Sequence, residues 1–142
     1  MNIHYRLDGP EKAPVLVLSN SLGTTLTMWD AQMPALTEHF RVLRYDTHGH
    51  GQTTKRGKVT LSQLGEDVIT LLNHLNIERA SFCGISMGGL TGLWLARFAP
   101  ERFEAVVVAN TAAKIGEQAG WLSRARTVRS EGMGVVRSEE HT

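Results

Sequence analysis

The feature that most constrains the fold of this chain is the alternation of short apolar runs with segments of helical periodicity. The runs have the length and composition of strands buried on both faces, and they occupy residues 15–18, 41–45, 80–83 and 105–109. The helical segments lie between them, at residues 29–40, 61–75 and 87–98. This order predicts an α/β protein whose mostly parallel sheet carries helices on both faces.

The ends of these elements carry further signals. Residues 3–7 alternate apolar and polar side chains ahead of a turn, which is typical of an edge strand. Ser62 is a candidate N-cap of the helix at residues 61–75, because a hydroxyl there can accept a bond from a first-turn amide. After Asn110 the pattern weakens and glycines interrupt it.

Length and charge narrow the classes of function. The chain has 142 residues, the size of one domain, and its formal net charge of +1 gives no reason to expect nucleic acid as a partner. The N-terminus lacks a secretory pattern, and no apolar run approaches the ~20 residues of a membrane span. Cys83 is the single cysteine, and no histidine has companion ligands for a metal. We expect a cytoplasmic protein without metal or membrane segment.

A Gly-x-Ser-x-Gly motif at residues 84–88 lies between a predicted strand and a predicted helix. In that context the motif is typical of a nucleophile on a sharp strand-to-helix turn, where Gly84 and Gly88 let neighbouring backbone approach. The alternative is that the glycines only permit a tight turn and that Ser86 caps the helix. The flanking strand and the small residues of the helix favour the first interpretation, so Ser86 is the predicted nucleophile.

Acyl transfer also needs donors for the negative oxygen of the tetrahedral intermediate, and in this architecture they are two backbone amides. The amide of Met87, directly after the serine, is one candidate. The amide of Leu22 is the other, because residues 19–23 follow the first core strand, where many esterases carry a His-Gly loop. The alternative is that Asn20, Ser21 and Gly23 form an ordinary polar turn.

With these motifs placed, the chain resembles the 3-oxoadipate enol-lactone hydrolases, which have the α/β-hydrolase fold. The segments that carry the resemblance are residues 5–9, 15–24, 28–30, 39–47, 86–89 and 110–115. Asn-Ser-Leu-Gly at residues 20–23 and Asn-Thr-Ala-Ala-Lys-Ile at residues 110–115 are the most specific, because generic esterases seldom carry them.

Residues 46–51 are similar to the Asp-x-Arg-Gly-x-Gly loop of such hydrolases, with His48 where arginine is usual. The resemblance implies a mainly structural role for this loop. Asp46, His48 and His50 are an alternative source of triad members, but they precede Ser86, whereas the expected order is serine, acid, histidine.

The resemblance implies hydrolysis of 3-oxoadipate enol-lactone to 3-oxoadipate in bacterial aromatic catabolism, without a cofactor. Ser86, activated by a histidine, would attack the lactone carbonyl, and the amides of Leu22 and Met87 would hold the oxyanion. Because the substrate carries a carboxylate, a positive partner is expected in the lid. Trp121 and Arg124 are the candidate pocket residues, with an ordinary surface helix as the alternative.

The chain departs from this family towards its C-terminal end. The resemblance implies an acid and a histidine on later strands, so we expect a fold truncated before its last strands and most of its lid. The predicted organisation is a core at residues 1–110, the start of a lid at 111–136 and an artefactual tail at 137–142, which reads like translated sequencing adapter. We expect these residues alone to be inactive and poorly soluble, because residues 105–109 would form an uncovered apolar edge.

The sequence is also compatible with other functions. The fold and the serine motif alone do not set the substrate, so another esterase of the same fold, or a cofactor-free perhydrolase, is the main alternative. A catalytically incomplete, non-enzymatic fragment is the alternative from a different class.

Overall fold

A computed structural model of the chain describes residues 2–54 and 59–110. Its strands are β1 (Tyr5–Asp8), β2 (Val15–Ser19), β3 (Arg41–Tyr45), β4 (Ala80–Ile85) and β5 (Phe103–Ala109). Its α-helices are α1 (Met33–Leu36), α2 (Leu61–His74) and α3 (Met87–Phe98), and 3₁₀ helices occupy Leu26–Gln32 and Pro100–Arg102.

The strands form one sheet in the order β1-β3-β2-β4-β5. β1 runs antiparallel to β3, and the other neighbouring pairs are parallel. Val17 of β2 is in register with Leu43 of β3 on one side and with Phe82 of β4 on the other. The predicted mostly parallel sheet, with an edge strand near the N-terminus, is therefore confirmed.

Apolar side chains of the central strands point alternately to the two faces of the sheet, and helices cover both faces. Val17 and Leu43 pack in one core cluster with Val68 of α2. Leu18 packs in a second cluster with Trp29 of the first 3₁₀ helix. Each fully buried aliphatic side chain contributes about 1.5–3 kcal/mol by leaving water. This double burial explains why β2 and β3 appear in the sequence as continuous apolar runs.

The segment predicted as one helix over residues 29–40 is divided in the structure. Leu26–Gln32 is a 3₁₀ helix, and α1 continues from Met33 for a single turn. Pro34 lies in the first turn of α1. Because proline has no backbone N–H group, it cannot donate the hydrogen bond that would extend the helix of the preceding residues. The amide of Met33 instead bonds to the carbonyl of Asp30, the spacing of a 3₁₀ turn.

The N-cap of α2 is Thr60, so the prediction of Ser62 was wrong. The Thr60 hydroxyl accepts a hydrogen bond of 3.1 Å from the amide of Gln63. Thr60 has the extended backbone of a cap residue (φ −112°, ψ 162°), whereas Ser62 lies inside the helix. The sequence pattern located the helix correctly but misplaced its N-cap by two residues.

Replacing Thr60 by alanine is therefore expected to lower the free energy of unfolding by about 1 kcal/mol, the usual loss of an N-cap. Ser62→Ala is the matched control, because it removes a hydroxyl of the same turn, and its effect should stay within ~0.5 kcal/mol. Urea denaturation of the two variants measures both values. A larger loss for Ser62→Ala than for Thr60→Ala would contradict this assignment.

Several predictions concern parts of the chain outside the described residues. These are the lid at residues 111–136, the tail at residues 137–142, and the pocket candidates Trp121 and Arg124. Within the described ranges, no helix is long and apolar enough to span a membrane. In the same ranges, no group of three or more His, Cys, Asp or Glu side chains is arranged to hold a metal ion.

Candidate active site

Ser86 occupies the junction between β4 and α3 in an unusual backbone conformation. Its φ is +58° and its ψ is −116°, values that a residue with a side chain adopts only under strain. Its side chain makes no capping hydrogen bond to α3, and the residue is half-buried. The alternative that Ser86 serves as a helix cap therefore finds no support in the hydrogen bonding of α3.

Gly84 and Gly88 allow this turn because backbone atoms crowd both positions. A Cβ on Gly84 would overlap the carbonyl of Gly88. A Cβ on Gly88 would overlap the carbonyl of Ser19, at the end of β2. Gly84 therefore lets α3 approach β4, and Gly88 lets α3 approach β2.

The loop after β2 lies beside this turn. Ser19 of β2 is in register with Gly84 of β4. One residue further, the carbonyl of Asn20 accepts a 3.0 Å hydrogen bond from the amide of Gly88. The start of the loop is therefore bonded directly to the first turn of α3, two residues from Ser86.

Residues 21–24 form a tight turn within that loop. The amide of Thr24 bonds to the carbonyl of Ser21 at 3.3 Å, and Gly23 at the third position has a φ of +80°. The amide of Leu22, at the second position, takes no part in the bond that closes the turn, and its side chain is 69% exposed. The loop is thus a polar turn, and that turn leaves the Leu22 amide available as a donor.

Met87 is the first residue of α3. The first amides of a helix have no acceptor inside the helix, and they carry the positive end of its dipole. The structure therefore places three predicted residues, Ser86, Met87 and Leu22, on two segments joined by the Asn20–Gly88 bond. Such an arrangement can offer a hydroxyl nucleophile and two amide donors to one carbonyl group.

The sequence pattern did not predict the buried hydrogen bonds of the Asn20 side chain. Asn20 is fully buried, its side-chain carbonyl accepts a 2.7 Å bond from the indole of Trp29, and its amide group donates a 2.7 Å bond to the carbonyl of Tyr45. The available signal was an amide side chain directly after an apolar strand, since a buried polar group must find partners.

Asp46 is a buried carboxylate whose two oxygens bind backbone amides. One oxygen accepts from Leu26 at 2.8 Å and the other from Gln52 at 2.9 Å. Gly51 allows this closure, because a Cβ there would overlap the carboxylate. These contacts fix the loop after β3 to the 3₁₀ helix, which agrees with the structural role expected for residues 46–51.

His48 and Tyr45 complete the polar surroundings of that loop. His48 Nδ1 lies 3.7 Å from Asp67 Oδ2 of α2, an ion pair when the imidazole is protonated. Burial raises the pKa of the Tyr45 phenol far above its usual range, and its hydrogen bond with the Ser19 hydroxyl only partly offsets this. Tyr45 therefore stays neutral and acts as a hydrogen-bonding partner.

Within residues 2–54 and 59–110, the histidines of the loop after β3 have contacts of their own. The ring nitrogen Nδ1 of His50 lies 3.1 Å from the carbonyl of His48. The imidazoles of His48 and His50 bind within their own loop or face α2. These contacts do not favour the alternative in which His48 and His50 serve as triad members.

Comparison with known proteins places these features in a family. A sequence model described as alpha/beta hydrolase fold matches residues 14–129. A relative from Acinetobacter baylyi named 3-oxoadipate enol-lactonase 1 is 50% identical over 99% of this chain and 53% of its own length. A second, 3-oxoadipate enol-lactonase 2 of the same organism, is 53% identical over 92% of the chain and 49% of its own length.

The solved structures give the same result. The enol-lactonase from Burkholderia xenovorans LB400 superposes with a TM-score of 0.77 and 52% identity, covering 96% of this chain and 54% of that structure. The resemblance predicted from the sequence is confirmed. The chain spans about half the length of the relatives it matches.

Proposed function

Because the chain belongs to the alpha/beta hydrolase fold family, we propose that the full-length protein is a serine hydrolase that opens 3-oxoadipate enol-lactone. The observation that carries the proposal is the conformation of Ser86, a strained residue at φ +58° between glycines that admit no side chain. Strain of this kind persists where function requires it, and here it accompanies a hydroxyl not used as a helix cap. Two relatives at 50% and 53% identity, both named 3-oxoadipate enol-lactonase, support the choice of substrate.

The reaction follows from the placement of three groups. The Ser86 hydroxyl attacks the lactone carbonyl and gives its proton to a histidine supplied by the rest of the full-length protein. The amides of Leu22 and Met87 hold the negative oxygen of the tetrahedral intermediate. The C–O bond of the ring then breaks, the protonated histidine returns its proton to the enol oxygen, and an acyl-enzyme remains.

Water completes the cycle. The histidine accepts a proton from a water molecule, which attacks the acyl carbon. The ester bond to Ser86 then breaks, and the histidine returns the proton to the Ser86 oxygen as the free acid leaves. The enol formed by ring opening stays on the acyl chain and becomes the ketone of 3-oxoadipate. No step uses a cofactor or a metal. Trp121 and Arg124 remain the proposed partners of the substrate's apolar part and carboxylate.

The proposed partner is a small lactone rather than a macromolecule, and the proposed location is the cytoplasm. The near-balanced charge of the chain supports the first of these, because it gives no basis for binding nucleic acid. The single cysteine fits a reducing compartment.

The test expresses the reading frame that encodes this chain together with its natural downstream sequence. Loss of the ultraviolet absorbance of the enol-lactone should proceed with a kcat/KM of at least ~10⁴ M⁻¹ s⁻¹. A fluorophosphonate probe should label one peptide, at Ser86, since it reacts with activated serines. Cleavage of p-nitrophenyl acetate without opening of the lactone would favour another esterase, and absence of labelling would remove Ser86 as the nucleophile.

A further inference from the structure

We propose that Asn20 is a positioning residue of the oxyanion hole, which it orients through hydrogen bonds to Trp29 and Tyr45. The inference rests on the proposed function, since it assumes that the amides of Leu22 and Met87 stabilise an oxyanion. It adds a role for the buried side chains of Asn20 and Trp29.

The side chain of Asn20 joins the ends of different elements. Its carbonyl oxygen accepts a 2.7 Å bond from Trp29 Nε1 of the 3₁₀ helix, and its nitrogen donates a 2.7 Å bond to the Tyr45 carbonyl at the end of β3. Asn20 has no exposure to solvent, so neither bond competes with water. Asparagine suits the position because its short side chain carries both a donor and an acceptor.

The backbone of Asn20 links these two side-chain hydrogen bonds to the candidate active site. Its carbonyl accepts a 3.0 Å bond from Gly88, the residue after Met87. Leu22 lies two residues after Asn20 along the chain. Each proposed oxyanion donor is therefore within two residues of the Asn20–Gly88 bond, so a shift of Asn20 changes the distance between the donors.

The remaining contacts of the loop are weaker. Leu22 is 69% exposed and its side chain cannot anchor the turn. The Thr24 hydroxyl lies 3.2 Å from the sulfur of Met28, a poor acceptor, and 2.8 Å from the carbonyl of Ser21 in the same turn. Asn20 thus ties the start of this turn to the sheet, whereas the bond from the Leu26 amide to Asp46 holds the chain after it.

Trp29→Phe is the sharpest test, because it keeps an aromatic ring in the core and removes one donor to Asn20. In the full-length enzyme we expect kcat to fall about 10- to 100-fold, part of the loss seen when an oxyanion donor is removed, with KM within about twofold of the wild-type value. Hydrogen exchange of the peptide covering residues 20–24 should accelerate in the same variant.

Trp94→Phe is the matched control. Trp94 lies on α3 and packs against Phe98, with ring centroids 5.1 Å apart, and against Gly65 of α2. This change removes an indole of the same protein without touching Asn20, so kcat and the exchange of residues 20–24 should stay at wild-type values. A second variant, Asn20→Ala, should lower kcat at least as far as Trp29→Phe, and the double variant should be no worse than Asn20→Ala alone.

The outcomes separate this inference from the function on which it depends. A wild-type enzyme without turnover of lactone or aryl ester would overturn both. An active wild type whose kcat is unchanged in Trp29→Phe would overturn the positioning role alone. Equal losses in Trp29→Phe and Trp94→Phe would also overturn it, because general loss of core packing would then explain the effect. A selective loss of kcat with faster exchange at residues 20–24 supports it.

Discussion

Ser86→Ala is expected to lower kcat of the full-length enzyme by at least ~10⁴-fold, because it removes the hydroxyl proposed to form the acyl-enzyme. The fold should persist, since Ser86 is half-buried and makes no capping bond to α3. Lactone turnover measures the first effect, and the midpoint of thermal unfolding measures the second. Ser81→Ala on β4, five positions earlier, is the control and should keep wild-type turnover.

The strain at Ser86 adds an independent measurement. Alanine keeps a Cβ at φ +58°, so Ser86→Ala should not relieve the strain. Ser86→Gly removes the Cβ and should raise the free energy of unfolding by about 1 kcal/mol, the lower end of the cost of such conformations. More than ~1% residual turnover in Ser86→Ala would contradict a nucleophilic role. A glycine variant less stable than the alanine variant would contradict the strain.

The fold was predictable because its signals are local and strong. The strands β2 and β3 are buried on both faces, which forces continuous apolar runs into the sequence. The bounds of α3, Met87–Phe98, agree with the sequence prediction because the Gly-x-Ser-x-Gly turn defines its first residue. Periodicity also located α2, although its cap lies at Thr60.

The hydrogen bonds of the Asn20 side chain to Trp29 and Tyr45 were not predictable from local patterns. These partners are 9 and 25 residues away in sequence, so they meet only once β2, β3 and the 3₁₀ helix have packed. The division of residues 29–40 into two helices has a different cause, because Pro34 is a local signal that the spacing of apolar residues does not take into account. Local patterns therefore locate the elements, whereas the contacts that orient the site arise from tertiary packing.

Gly88→Ala is expected to damage both the fold and the site. The new Cβ would overlap the carbonyl of Ser19, and backbone atoms at the end of a central strand cannot turn away as a side chain can. We expect a loss of about 3 kcal/mol in the free energy of unfolding, the upper end of overpacking costs. The 3.0 Å bond from Gly88 to Asn20 should lengthen as α3 moves from β2, so kcat should fall by about 100-fold or more.

Gly92→Ala is the matched control for this change, because it adds the same methyl group one turn further along α3. A Cβ on Gly92 would meet the ring of Phe82 at 2.8 Å and a methyl of Val108 at 3.1 Å, which are buried side chains rather than backbone, so this variant also carries an overpacking cost, but without displacing β2. The better helix propensity of alanine, about 1 kcal/mol, offsets part of that crowding. Urea denaturation and lactone turnover of the two variants give the comparison. Equal stability and turnover in both would mean that α3 does not approach β2 closely at Gly88, and the geometry that brings Met87 beside the loop after β2 would then be wrong.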